Sequence, residues 1–407
     1  MSNIYNCQQI FLFYSYNISH ISAKLIVRFK NYLKIILKIY IRYYQNIKSM
    51  PAFNNKITLV QNYLHILNFL ITYGILFKKC GAPQTDRSFI MNLKCASFFA
   101  GVGGIDLGFH QAGFQTVYAN EFDDYAADTF ECNFDIKVDR RDIHIVPADE
   151  IPDFDIMLAG FPCQAFSVAG YRQGFDDEKG RGDLFFELIR IMEVKRPRIA
   201  FFENVKNLVS HDNGNTFKVI CEQLDLLEYK YIPYVMNACE YGNVPQNRER
   251  IYIVAFRDKD DYANFKMPLP ITLTKTIKDV IDFDAIVDKK YYYSEENCSF
   301  YKQLVSAMKN KNTIYQWRRV YVRENKSNLV PTLTANMGTG GHNVPLILTN
   351  QNKIRKLTPR ECFSVQGFPK TFKLPEQSNG RLYKQAGNSV VVPVIHRIAQ
   401  SIQEAIV

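Results

Sequence analysis

Four groups of side chains in this chain have types and spacings that could act together. Cys163 lies in Gly160-Phe161-Pro162-Cys163-Gln164, just past an apolar run that reads as a strand. In open α/β sheets the carboxyl ends of strands are where ligands bind. A free thiol has a pKa of about 8.5, so a small thiolate fraction exists near neutrality. Cys163 is therefore a candidate nucleophile, although a lone cysteine also fits an inert core position. Glu203 closes the next apolar run, Phe201-Phe202-Glu203-Asn204-Val205. Desolvation raises a carboxyl pKa, which suits a group that bonds both a ring nitrogen and an amine; the alternative is a solvated strand end. Arg248 and Arg250 open a third run, in Gln246-Asn247-Arg248-Glu249-Arg250. At i and i+2 on a strand they point the same way and can hold a base carbonyl, a carboxylate or a phosphate, or simply face solvent. The fourth group is the glycine-rich run Phe98-Phe99-Ala100-Gly101-Val102-Gly103-Gly104-Ile105-Asp106-Leu107-Gly108. Its glycines allow close backbone approach to a nucleotide, and Glu121, at the end of the following strand, is in reach of a ribose hydroxyl pair. Asp106 stands where the third glycine of a dinucleotide fingerprint would be. An adenosyl cofactor without a pyrophosphate therefore fits better than a dinucleotide; a glycine-rich turn with no ligand is the alternative.

These groups need elements to position them. From Met91 onward, short apolar runs alternate with helical patterns, which reads as βα units and an α/β fold. Strands are expected at 94–99, 115–120, 154–159, 198–203 and 250–256. A helix is expected from Asp183 as N-cap through Met192, stopping near Pro197. The loop after Cys163 carries Gly170, Gly174, Gly180 and Gly182, the composition of a mobile lid or of a floppy surface loop. After Phe256 the alternation weakens, and residues 257–350 read as a second, more irregular lobe. Residues 387–407 regain an apolar helical pattern. The expected organisation is a catalytic and cofactor-binding domain over 91–272, completed by 381–407, with a smaller lobe over 273–380 and an N-terminal extension over 1–90.

The chain has 407 residues, 47% hydrophobic and 22% charged, ordinary for a soluble globular protein. Its net charge of +10 is misleading as a nucleic-acid signal. Residues 1–90 hold 11 Lys/Arg and one acid, Asp86, while residues 91–407 hold 39 basic and 39 acidic residues. The local signal is in 301–330, where Lys302, Lys309, Lys311, Arg318, Arg319, Arg323 and Lys326 face one acid, Glu324. Such a patch binds phosphates or is a solvated basic face. Gln316 and the arginines are side chains that read adenine and guanine edges. Nine cysteines with no C-x-x-C pair argue against a disulfide scaffold and a structural zinc site, and favour the cytoplasm. No signal peptide is evident. The apolar stretch 57–77 is long enough for a membrane span, but it contains Gln61, Asn62, His65 and Asn68.

Taken together, these residues resemble the cytosine-C5 DNA methyltransferases, particularly those of bacterial restriction-modification systems. The resemblance covers nearly all of 91–407, with the motifs in the family's order. Phe99-Ala100-Gly101-Val102-Gly103-Gly104 resembles the cofactor motif, Pro162-Cys163-Gln164 the nucleophile motif, and Glu203-Asn204-Val205 the motif that contacts the target cytosine. Gln246-x-Arg248-x-Arg250 resembles the arginine motif, 355–362 the motif that organises the target-recognition lobe, and 385–390 the motif that completes the cofactor pocket. The resemblance implies a Rossmann-like S-adenosylmethionine-dependent methyltransferase sheet with a smaller target-recognition lobe. It places S-adenosylmethionine on Phe99, Gly101, Gly103, Gly104, Glu121, Phe122, Asp142, Ile143, Pro162, Asn388, Ser389 and Val390. It places double-stranded DNA on Gln164, Ser167, Arg318, Arg319 and Arg323. Many members carry a serine six residues after the nucleophile, which helps fill the hole left by the flipped base; here that residue is Ala169.

The implied chemistry is covalent. The Cys163 thiolate adds to carbon 6 of cytosine, carbon 5 gains electron density and takes the methyl group, and loss of the carbon-5 proton releases the enzyme. Glu203 would contact ring nitrogen 3 and the amine, while Arg250, supported by Arg248, would hold the carbonyl oxygen or steady the Cys163 loop. The base must leave the duplex. The protein is expected to act as a monomer without metal or membrane, alongside a cognate restriction endonuclease. A tRNA-acting relative would carry a Cys-Phe-Thr signature, absent here, and a decayed binding module would not keep Cys163, Glu203 and Arg250. A zinc deaminase would need H-x-E and a second cysteine after Pro162-Cys163. Because residues 1–90 carry no motif, a chain begun at Met91 is expected to keep full methyl transfer and DNA affinity. Loss of either in a side-by-side assay contradicts that reading.

Overall fold

A computed structural model describes residues 93–162, 184–338 and 343–406. Cys163, Gln164, Ser167, Ala169, the glycine-bearing loop and Asp183 lie outside the described residues, as do the N-terminal extension and its apolar stretch. The chain runs β1 (Lys94–Phe98), α1 (Gly104–Gln111), β2 (Gln115–Asn120), α2 (Asp124–Glu131), β3 (Ile156–Ala159), α3 (Leu184–Lys195), β4 (Ile199–Val205), α4 (Asn215–Leu226) and β5 (Lys230–Asn237). It continues through the one-turn helix α5 (Ala238–Tyr241), β6 (Gln246–Asn247), β7 (Glu249–Phe256) and α6 (Lys259–Asn264). Six strands form one sheet in the order β2-β1-β3-β4-β7-β5, parallel from β2 to β4, with β7 antiparallel to both of its neighbours.

The central strands bury both faces, and their period-two alternation sorts the core into two layers. Ile156, Leu158, Ile199, Phe201, Val254 and Phe256 face one way, packed with Ile105 and Phe109 of α1. Met157, Ala159, Ala200, Phe202, Ile253 and Ala255 face the other, against Phe185, Leu188 and Met192 of α3 and Ile220 and Leu224 of α4. The strand expected at 250–256 begins at Glu249, and the one expected at 198–203 runs on to Val205, so Glu203 lies inside it rather than at its end. β5 had no counterpart among the expected strands. It is the sheet edge and half exposed, with Pro233 in its middle, so it lacks the continuous apolar run of a central strand.

The second region contains α7 (Tyr301–Ala307), β8 (Tyr315–Arg318), β9 (Tyr321–Glu324), β10 (Val330–Pro331), β11 (Leu346–Leu348) and β12 (Ile354–Lys356). Four of these strands make a small antiparallel sheet, β12-β11-β8-β9, while β10 pairs with β6. Three helices follow: α8 (Pro359–Val365), α9 (Asn379–Asn388) and α10 (Val392–Ala405). Val394, Ile395, Ile398, Ala399 and Ile402 of α10 return the chain end to the large sheet, beside α1. At their crossing a Cβ on Gly108 would lie 2.6 Å from Ile395 Cβ, so only glycine permits this approach. Among the described residues, no helix is long and apolar enough to cross a membrane.

One buried ion pair organises the second region. Arg355, fully buried on β12, donates to Glu361 Oε1 and Oε2 at 2.8 Å each and to the Asp282 carbonyl at 2.7 Å. Glu361 also accepts from the Thr358 amide at 2.8 Å, closing a capping box at the start of α8. Breaking a buried pair strands one charge. Arg355→Ala is therefore expected to cost about 3–5 kcal/mol in urea unfolding; a loss under about 1 kcal/mol would show that the pair is solvated.

Candidate active site

The carboxyl ends of β1, β3 and β4 open onto a cavity of about 590 Å3, walled opposite by residues 333–335 and 384–390. At one end is the glycine turn. Phe99 leaves β1 with φ of +51°, and Gly103, at φ +82°, caps α1 in a left-handed conformation that glycine adopts without penalty. Glu121 Oε2 accepts from the Gly101 amide at 2.7 Å and Oε1 from the Asp123 amide at 2.8 Å. This carboxylate therefore ties the end of β2 to the turn. Burial raises its pKa, and the two amides oppose the shift.

At the other end is Glu203, buried, with Arg250 Nε 3.0 Å from its Oε1. The pair is in close charge contact inside the cavity wall. Burial raises the Glu203 pKa, and Arg250 and then Arg248 oppose it. The contact follows from register: Val205 pairs with Arg250 across β4 and β7, and Glu203 is the diagonal neighbour on the same face. Asn204 acts on the segment just before Cys163. Its Nδ2 donates to the Phe161 carbonyl at 2.9 Å, while its Oδ1 accepts from the Val205 amide at 2.8 Å.

Arg248 and Arg250 both line the cavity, but they do different things. Arg248 is buried and donates to three carbonyls: Leu333 at 2.8 Å, Gly387 at 3.2 Å and Ser389 at 2.5 Å. Burial, with Arg250 beside it, lowers its pKa to about 9, so it remains a cation at neutral pH. The sequence pairs the two arginines as ligand-holding groups; in the structure Arg248 holds main chain. Gln366, which sequence reasoning missed, works beside it, donating to the Ala386 carbonyl at 2.8 Å and accepting from Gln246 at 3.3 Å. No sequence pattern marks a glutamine bonded to a distant carbonyl.

Phe99, Gly101, Gly104, Glu121, Pro162, Asn388, Ser389 and Val390 line this cavity. Gly103 caps the helix behind it. Phe122, 72% exposed, lines an adjoining cavity of about 500 Å3 with Tyr125, Arg381 and Lys384. Asp142 and Ile143 are outside the lining of both cavities. Asp142 caps a short 3-10 turn and contacts His144 Nδ1 at 2.6 Å, while the Ile143 side chain is buried in the core. Arg318, Arg319 and Arg323 are exposed on the β8–β9 hairpin, away from the cavity lining.

The sequence matches the family described as C-5 cytosine-specific DNA methylase over residues 93–404. The chain belongs to the C-5 cytosine-specific DNA methylases. Among similar relatives of these methylases, Type II methyltransferase M.Bsp6I of Bacillus sp. (strain RFL6) is 60% identical over 314 residues, 77% of this chain and 99% of the relative. Type II methyltransferase M.HhaI of Haemophilus parahaemolyticus is 39% identical over 77% of this chain and 95% of its own. A mutant of Spodoptera frugiperda DNMT2 shares the fold with a TM-score of 0.60 at 20% identity, covering 76% of this chain and 99% of that one. This C-5 cytosine-specific DNA methylase is thus a DNA (cytosine-5-)-methyltransferase that uses S-adenosylmethionine. The cavity suits that cofactor. Ser389 Oγ is buried in its wall with no hydrogen-bond partner, and a Cβ on Gly101 would meet nothing within 4 Å.

The contrast between the arginines is testable. Arg248→Ala is expected to lower the melting temperature and the cofactor affinity together, because three carbonyls lose their donor. Arg250→Ala is expected to keep the cofactor affinity, lower kcat, and move the Glu203-dependent limb of the pH profile to higher pH, because Arg250 holds that pKa down. Equal losses of cofactor affinity in both variants would refute the division.

Proposed function

We propose that this enzyme methylates carbon 5 of a cytosine flipped out of a short, specific double-stranded DNA sequence. The reading is carried by one observation: Glu203, paired with Arg250, and the Glu121–Gly101 turn line one cavity. Protonated Glu203 donates to ring nitrogen 3 and accepts from the exocyclic amine, and Arg250 holds the carbonyl oxygen of the base. Cys163, three residues past Gly160 of the cavity wall, adds as thiolate to carbon 6. Its sulfur bonds to that carbon and the ring's electron pair moves to carbon 5. Bound S-adenosylmethionine supplies the methyl group, held by Glu121, the glycine turn and Asn388-Ser389-Val390. Asn204 keeps the Phe161-Pro162 segment registered to Glu203. A base removes the carbon-5 proton, the carbon–sulfur bond breaks, and Cys163 is restored.

The β8–β9 hairpin suits the sequence reader. Its pairing puts Gln316 opposite Arg323 and Arg318 opposite Tyr321, while Trp317 stacks on Phe300 at 4.1 Å between centroids and anchors the other face. The Type II names of the relatives support a place as the modification half of a restriction-modification pair, with a cognate endonuclease sharing the target.

Cys163→Ala is expected to abolish methylation while cofactor binding persists. A duplex with 5-fluorocytosine at the target should trap a covalent adduct on wild type and none on the variant. Methylation by the variant at near wild-type rate would refute the mechanism. Exchanging residues 273–350 with those of a relative is expected to move the target sequence with the segment; an active chimaera that keeps the original target would locate the reader elsewhere.

A further inference from the structure

Asp106 takes no part in the chemistry above, yet it is fully buried directly behind the glycine turn. It lies on the first turn of α1 and follows Gly104 and Ile105, which both line the cavity. Its Oδ2 accepts from Ser97 Oγ of β1 at 2.9 Å, and its Oδ1 accepts from Thr116 Oγ1 of β2 at 2.9 Å. Two hydroxyls that can donate to it accompany the carboxyl group, one from each strand. Burial raises its pKa to about 6 against the opposing pull of the two hydroxyls, so the group is charged at neutral pH. A carboxyl whose folded pKa is raised contributes most stability when protonated, and loses it as pH rises toward the folded value. The charge at this position therefore costs the fold something at neutral pH, and packing alone does not explain it.

The cofactor and its product differ at one charge. S-adenosylmethionine carries a sulfonium cation, which becomes a neutral thioether once the methyl group has left; the amino and carboxyl groups are common to both. We propose that Asp106 is an electrostatic specificity residue, whose buried negative charge behind the glycine turn favours the sulfonium cofactor over S-adenosylhomocysteine. The inference rests on reading this cavity as the cofactor site. The other charges around the cavity are Glu121 and Glu203, against Arg248 and Arg250, with Lys384 paired to Asp123 at 2.6 Å. Asp106 is separated from them by the turn itself, and on β1 burial and then Asp106 push the Cys95 thiol up. Acting through the turn at an effective dielectric of about 20, one such charge changes an equilibrium constant on the order of tenfold or more.

Asp106→Asn tests this directly. The amide is isosteric, and the Ser97 and Thr116 hydroxyls can each donate or accept, so the variant keeps its hydrogen bonds. Calorimetric affinities at neutral pH for S-adenosylmethionine, S-adenosylhomocysteine and sinefungin, which carries an amine in the sulfonium region, give the readout without turnover. The expected result is a roughly tenfold loss for the two cationic ligands, a much smaller change for the thioether, and a melting temperature equal to or above wild type. Equal losses for all three ligands, an unchanged ratio, or a fall in melting temperature with every ligand weakened would overturn the proposal. Failure of wild type to bind any of the three would instead overturn the assignment of the cavity, and the proposal with it.

Discussion

The Arg248 guanidinium is the contact on which the site depends. It joins the link between β6 and β7 to carbonyls at Leu333, Gly387 and Ser389, which are 85, 139 and 141 residues away. A cation buried in this way loses its hydration, and carbonyl dipoles replace it only if all three stretches hold their positions. The clasp thus makes one wall of the cavity conditional on the other. Gly387 lies so close to Thr334 and Ala335 that no side chain fits between them, and Ser389 packs on Gly104 of the glycine turn. The connector from the small sheet, the closing helix and the β4–β7 edge that carries Glu203 consequently form one unit.

Around that clasp the electrostatics divide by task. Glu203 and Arg250 are in charge contact and both line the cavity, which suits a pair that must meet a base. Arg355 and Glu361 meet through two parallel hydrogen bonds away from the cavity lining, which suits a structural pair. Both are buried arginine–carboxylate pairs; the difference is that only the first lines the cavity.

Much of the large sheet was legible because its strands are buried on both faces and so read as apolar runs; 115–120 matches β2 from end to end. β5 was not legible, because an edge strand with exposed residues and Pro233 carries no such run. At the site, residue types and order revealed Glu203 and the glycine turn, whose chemistry belongs to side chains. They did not reveal what Arg248 does, since its partners are main-chain carbonyls that any residue could supply. Asn204 and Gln366 stayed hidden for the same reason. Asp106 was visible as a departure from a glycine pattern, but its meaning required seeing Ser97 and Thr116 close on it from two strands.

The central claim is that a base held at Glu203 and a cofactor held at the glycine turn meet in one cavity, so that methyl transfer goes to carbon 5 of cytosine. The most direct measurement is nucleoside mass spectrometry, paired with conversion sequencing, on duplex DNA incubated with the purified chain and S-adenosylmethionine. The account predicts 5-methylcytosine at one recurring sequence context and no other methylated base. Methyl groups on an exocyclic amine or on adenine would contradict it.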